Sequence, residues 1–378
     1  MAQLKAARAA DVPSAAPDIG GAQFDLASAC ISGAEEASRP PLLVIGHRGK
    51  GVNTLASSPD ACPPRGDVVR ENTLRSFNDA ARCPGVSYVE FDVQVTKDGC
   101  PVIFHDTFIY TEQDGEISEK RVTDLRLDEF LSYGPQKDHH GKAGKPLLRK
   151  LKDGRIVRWD VQSEDALCTL REAFQGVDRR VGFNVELKFD DGAAYTDDEL
   201  TGALQAVVFE HANGRPIIFS SFQPDAALLM RRLQDKYPVY FLTKGGTEVF
   251  ADPRRNSLEE AVRLCLAGGL QGVVSEVRAI LRQPSAVAEI KEARLSLLTY
   301  GQLNNVPGVV YVQHLMGVDG VIVDHVREIA DAVSAFTAAP KLGSEDGEGE
   351  KTEAVVRTPS FSQREIFFLL RLIPELVQ

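Results

Sequence analysis

Apolar residues recur along this chain in two rhythms. Short apolar or alternating runs at 42–47 (LLVIGH), 88–95 (YVEFDVQV), 183–188 (FNVELK), 217–222 (IIFSSF), 239–243 (VYFLT), 272–276 (GVVSE), 295–300 (LSLLTY) and 320–324 (GVIVD) predict β-strands. Stretches with helical spacing lie between them, at 72–82, 225–235 and 257–267. Eight strand–helix units over roughly 250 residues predict an α/β fold, a (β/α)8 TIM barrel. A doubly wound open sheet is the main rival. The run 101–106 falls outside the count. It reads as a hairpin return of the second strand through Lys97-Asp98-Gly99. The interval 107–182 is too long for one crossover and predicts an inserted subdomain after the second strand. "DLRLDEFLSYG" (124–134) and "DALCTLREAF" (165–174) are its expected helices.

Composition divides the chain into three. Residues 1–40 are rich in Ala, Ser and Gly with little periodicity, and are expected to form a mobile tail. Residues 41–339 carry the barrel. Residues 340–378 begin with the acidic linker "GSEDGEGEKTE" and end in the amphipathic segment 361–378, expected to dock peripherally on a membrane surface or to pack on its own barrel. Truncation at 340 is expected to spare the chemistry.

The net charge of -11 argues against a nucleic-acid partner, because such a chain repels phosphate backbones. A phosphate-bearing substrate would therefore need a local cation. No apolar run approaches the roughly 20 residues of a transmembrane span. The six cysteines are scattered without a CxxC pair and read as reduced thiols. No signal-peptide core is evident. Asp11, Asp18, Asp25, Glu35 and Glu36 count against a transit peptide, so the expected location is the cytoplasm, with the plastid as alternative.

The second strand carries the chemistry. Side chains alternate along a strand, so Val89, Phe91, Val93 and Val95 share one face, and Glu90, Asp92 and Gln94 the other. In a barrel the apolar face packs against helices and the polar face points inward. The third strand repeats the pattern with Asn184, Glu186 and Lys188. Glu90, Asp92 and Glu186 should converge, and paired carboxylates repel unless a cation joins them or one is protonated. Three hard oxygen donors suit Mg2+ or Ca2+. A solvent-facing antiparallel strand would show the same alternation, but its appearance on two strands weakens that reading. If the hairpin turn is centred between Lys97 and Asp98, His105 lies opposite Glu90. His47 ends the first strand, where barrel enzymes place catalytic groups. Two histidines flanking a metal-bound phosphate could serve as general base and general acid, and Arg48 could clamp a phosphate oxygen.

"GHRG" (46–49), "ENT" (71–73), "EFDVQVTKDGCPVIFHD" (90–106) and "NVELK" (184–188), in that order and spacing, resemble the glycerophosphodiester phosphodiesterase family. The resemblance covers about 42–325. "RPIIFSSFQPDAA" and "LSLLTYGQLNN" are most similar to plant members with a single such domain. It implies a barrel that hydrolyses small-molecule glycerophosphodiesters to sn-glycerol 3-phosphate and an alcohol. Carried over by position, it makes His47 and His105 the catalytic pair, and Glu90, Asp92 and Glu186 the metal ligands. Arg48, Glu71 and Lys188 become substrate-site residues. The seventh strand departs from the family: it reads Leu298-Thr299-Tyr300-Gly301 where Trp-Thr-Val-Asn is frequent, although Asn304 lies close by. The loop 50–70, with Pro59, Pro63 and Pro64, is a candidate cover for the site. The alternatives are a phospholipase of the inositide or sphingomyelinase D type and a catalytically silent glycerophosphodiester-binding barrel.

Overall fold

The computed structural model describes residues 41–53, 68–136, 144–151, 153–159, 161–189, 212 and 214–337. The expectations for 1–40, for the prolines of the 50–70 loop and for 340–378 fall outside these residues. In chain order the strands are β1 (Leu43–Gly46), β2 (Val86–Val95), β3 (Pro101–Ile103), β4 (Phe108–Gln113), β5 (Glu116–Arg121), β6 (Leu148–Lys150), β7 (Ile156–Arg158), β8 (Gly182–Leu187), β9 (Ile217–Ser221), β10 (Val239–Thr243), β11 (Gly272–Glu276), β12 (Ser296–Tyr300) and β13 (Gly320–Val323). Eight of them, β1, β2 and β8 to β13, form a parallel sheet. Val44 and Gly46 of β1 pair with both β13 and β2, which closes the sheet into a barrel and excludes the open-sheet rival.

The outward face of each strand is apolar because helices cover it. Val89, Phe91 and Val93 on β2 join Phe77 and Ala80 of helix α1 (Leu74–Ala81) in one core. Phe91 stacks between Phe77 and Phe183, and Phe183 meets Phe174 in turn. The barrel interior has its own apolar plug, with Ile45, Ile218, Tyr240, Leu242, Val274, Leu298 and Ile322. Because strands alternate, the inward residues two positions further on, at the carboxyl ends, ring the mouth. They include His47, Lys244, Glu276, Tyr300 and Asp324.

The insertion differs from expectation. It is built mainly on a four-stranded antiparallel sheet in the order β5-β4-β6-β7. The segment 124–134 contributes only a short helix, α2 (Leu127–Phe130). Tertiary bonds override its helical periodicity: Lys97 N–H donates to the Leu125 carbonyl, and Asp98 accepts from Leu127 N–H. Its apolar side chains, Leu125, Phe130 and Tyr133, fill the insertion's own core. In the segment 165–174, the helix α3 (Leu170–Gly176) starts only after Thr169, which forms a capping box with Glu172.

The hairpin register also differs by one residue. Val93 pairs with Ile103 and Val95 with Pro101, so the turn is centred on Asp98. Thr96 and Cys100 close a three-residue loop with Gly99 at φ 79°, the left-handed position that glycine takes at no steric cost. Glu90 therefore does not face His105 across the ladder. His105 lies two residues beyond β3, where the Gln94 side-chain amide donates to the carbonyls of Phe104 and Asp106 and so fixes the backbone on either side of it.

Candidate active site

The site begins with the turn after β1. A Cβ on Gly46 would lie 2.2 Å from the Gly49 carbonyl oxygen, and one on Gly49 would lie 2.5 Å from Ser76 Oγ. The two glycines of "GHRG" thus permit a tight turn that Arg48 completes in the left-handed region, at φ 49°. Held this way, Arg48 donates its backbone N–H to Glu90 Oε2 at 2.9 Å and Nη1 to Glu71 Oε1 at 2.7 Å. Its Nε lies 3.3 Å from Asp92 Oδ2. Two guanidinium nitrogens therefore face carboxylates of the protein. Arg48 thus organises the acids.

Three consecutive residues, 71–73, do three different jobs. Glu71 accepts from Arg48 and from the Asn53 backbone N–H. Asn72, itself left-handed at φ 56°, donates its amide to Asp92 Oδ2 at 2.8 Å. Thr73 caps helix α1 by accepting from Ser76 N–H.

Glu90 and Asp92 on β2 and Glu186 on β8 meet inside the mouth. Asp92 and Glu186 are neighbours in the parallel register, and ligand oxygens of all three lie within 4.8 Å of one another. All are buried. Burial, then Asp92 and then Glu186, push the Glu90 carboxyl up to about 8. Burial pushes Asp92 up as well, but His105, Arg48 and Lys188 outweigh it and hold Asp92 well below the usual carboxylate range. Lys188 lies 3.0 Å from Glu186 and 3.6 Å from Asp92. Asp92 Oδ1 is buried without a hydrogen bond. A bare cluster favours a proton on Glu90, whereas a divalent cation would satisfy Glu90 and give a closer partner to the Asp92 oxygen that Lys188 approaches at 3.6 Å. The donor set is all oxygen, so the residues fit Mg2+ or Ca2+.

The histidines stand in different fields. His47 Nδ1 bonds Asp324 Oδ1 at 2.8 Å, leaving Nε2 facing Glu90 at 3.9 Å. Burial lowers the His47 pKa, but Asp324 and Glu90 overcome it, so the net shift is upward from 6.5. His105 Nδ1 bonds Asp106 Oδ1 at 2.7 Å. Burial and the positive charge of Arg48 lower its pKa, against the pull of Asp92, and the net shift is downward. Two imidazoles at one site are thus pushed apart, the pattern expected of an acid and a base.

Sequence reasoning missed two participants. Asp324 follows β13 and accepts from His47, Val52 N–H and Asn305, which hold it well below the usual range despite burial. Its position at a barrel strand's carboxyl end was an available signal. Arg149, on β6 of the insertion, reaches Glu71 Oε2 and Asp106 Oδ2, each at 3.4 Å, and stacks over Trp159. No spacing could have revealed it. Asn304, noted beside the altered seventh strand, is fully buried and bonds the Thr299 and Ile322 carbonyls, so it supports the fold and does not line the pocket.

The sequence profile of the glycerophosphoryl diester phosphodiesterase family matches residues 47–328. The chain is 55% identical over 340 residues to the chloroplastic glycerophosphodiester phosphodiesterase GDPD1 of Arabidopsis thaliana, covering 89% of this chain and 90% of that one. It is 53% identical to GDPD2 of the same plant, covering 90% of each. Its backbone is similar, at a TM-score of 0.53 and 22% identity, to an Oleispira antarctica phosphodiesterase solved with the product sn-glycerol 3-phosphate, covering 78% of this chain and 97% of that one.

The fields at the histidines yield a test. In Asp324→Asn the charge that holds the proton on His47 is lost. Its titration, followed by the imidazole C–H resonance, should move to lower pH. An unchanged midpoint would mean that Asp324 only orients the ring.

Proposed function

The chain belongs to the glycerophosphoryl diester phosphodiesterase family, and from that premise we propose a divalent-metal-dependent hydrolase that converts glycerophosphodiesters, the deacylated phospholipids, to sn-glycerol 3-phosphate and an alcohol. The observation that carries this reading is the convergence of Glu90, Asp92 and Glu186 between two histidines whose pKa values are driven in opposite directions. The three carboxylates would hold the ion. A bound divalent ion supplies positive charge for a phosphoryl oxygen and replaces the proton on Glu90.

The remaining work falls to the chain's own residues. His105, kept neutral by burial and Arg48, takes the proton of the attacking glycerol hydroxyl. His47, kept protonated by Asp324, gives a proton to the leaving alkoxide. One P–O bond forms and one breaks, leaving a cyclic phosphate. The roles then reverse: His47 accepts the proton of a water that attacks phosphorus, and His105 returns one to the opened ring oxygen. Arg48 and Lys188 lie beside the carboxylates and would meet the phosphate oxygens, while Glu71 holds Arg48 in place. The reading gives the enzyme a place in glycerol and lipid metabolism. No observation favours a phospholipase or a silent barrel.

An assay of glycerol 3-phosphate release tests the scheme. Excess chelator should abolish turnover, and Mg2+ or Ca2+ should restore it. The kcat profile should be bell-shaped. Activity falls with acid as His105, below 6.5, gains its proton, and falls with alkali as His47, above 6.5, loses its own. Alanine at either histidine should cost about 10²–10⁴-fold in kcat. A nitrophenolate leaving group, which needs no proton, should rescue only His47→Ala. Full turnover in metal-free protein, or rescue of His105→Ala instead, would overturn the scheme.

For the compartment we propose the plastid over the cytoplasm, on the name of the Arabidopsis relative. Among the described residues no helix is long and apolar enough to cross a membrane. Import of the full chain into isolated chloroplasts tests this proposal, and exclusion from them would return the cytoplasmic reading.

A further inference from the structure

The carboxylates and Lys188 occupy the β2 and β8 side of the mouth. The β9 to β12 side carries a different group of residues that the proposed chemistry does not use. Phe222, directly after β9, and Tyr300, at the end of β12, face each other at 6.0 Å between ring centroids and 86° between planes. Lys244, directly after β10, places its ammonium 5.9 Å from the first ring centroid and 5.8 Å from the second. The same ammonium lies 3.3 Å from Glu248. The Tyr300 hydroxyl donates to the Thr243 carbonyl, which fixes the ring. Phe222, Lys244, Glu276 and Tyr300 are all half-buried, so they form an accessible wall and not a sealed plug. The wall shares the barrel mouth with the carboxylates, because Tyr300 ends β12 and Glu186 lies near the carboxyl end of β8 in the same closed sheet.

Two aromatic rings beside two carboxylates are suited to a quaternary ammonium, which gains from ring faces and from negative charge. Here the chain fills that position with its own cation. A second ammonium entering the wall would meet Lys244 at close range and would have to displace it from both rings and from Glu248. An uncharged polyol faces no such repulsion and finds hydrogen-bond partners in the Lys244 ammonium and the Glu276 carboxylate.

We infer that Lys244 sets head-group preference. By holding the cation position on the Phe222–Tyr300 pair, it disfavours diesters whose released alcohol carries an ammonium, such as choline or ethanolamine. It favours those whose alcohol is an uncharged polyol, such as glycerol or inositol. This inference rests on the glycerophosphodiester reading of the site.

The test compares kcat/KM for glycerophosphoglycerol and glycerophosphocholine in the wild type, Lys244→Met and Lys244→Arg. The wild type should prefer the glycerol diester. Lys244→Met, which vacates the rings, should move the ratio toward choline by about tenfold or more, the scale of a partly desolvated cation–π contact. Lys244→Arg, which keeps the cation, should hold the wild-type ratio within about twofold. Calorimetric titration with tetramethylammonium gives a readout independent of turnover: Lys244→Met should bind it and the wild type should not. Lys244→Gln serves the same purpose if the Met variant does not fold. An unchanged ratio in a folded variant would overturn the inference. So would an equal loss on both diesters, which would make Lys244 a phosphate contact, or failure of the variant to bind tetramethylammonium. A wild type that cleaves neither diester would instead defeat the phosphodiesterase reading.

Discussion

The repulsion among buried carboxylates at the mouth of the barrel governs the surrounding structure. Among the described residues, Glu71, Glu90, Asp92 and Glu186 share three permanent cations, Arg48, Lys188 and Arg149. Each acid lost solvation on burial, a cost that only charge or hydrogen bonds can offset. The turn of "GHRG" therefore takes a strained left-handed Arg48 to bring one guanidinium to two acids, and Asn72 takes another to hold Asp92. Glu90 is only partly compensated, by the Arg48 backbone N–H and by His47 at 3.9 Å, and rises to about 8. The two histidines and the groups that support them are arranged around that carboxyl.

The same constraint separates the histidines. His47 sits on the anionic side, between Asp324 and Glu90. His105 feels the charges of Arg48 and Lys188, which Asp92 and Asp106 answer only in part. One environment stabilises imidazolium and the other destabilises it, so two identical side chains are driven in opposite directions. The insertion takes part through Arg149, which bridges Glu71 and Asp106 and so links the supports of Arg48 and His105.

Much of this was legible in the sequence because it rests on local periodicity. Alternation along 88–95 and 183–188 places Glu90, Asp92 and Glu186 on the inward faces of two strands, and eight apolar runs imply the barrel. What escaped depends on contacts between distant segments. The hairpin register slipped by one residue because the turn takes three residues and not two, and that choice lies in the Thr96–Cys100 closure. The segment 124–134 has a helix's pattern, yet Asp98 and Lys97 capture its backbone. Asp324 lies 277 residues from the histidine it binds, and Arg149 reaches the site only through the fold of the insertion.

The central claim is that the three carboxylates await a divalent cation in place of a proton. Titration of metal-stripped protein with Mg2+ or Ca2+ at pH 7, in buffers of different ionisation enthalpy, tests it most directly. The account predicts one ion per chain and release of about one proton on binding, since Glu90 is protonated beforehand. Both should be lost in Glu186→Gln. Binding without proton release, or binding that survives this substitution unchanged, would contradict it.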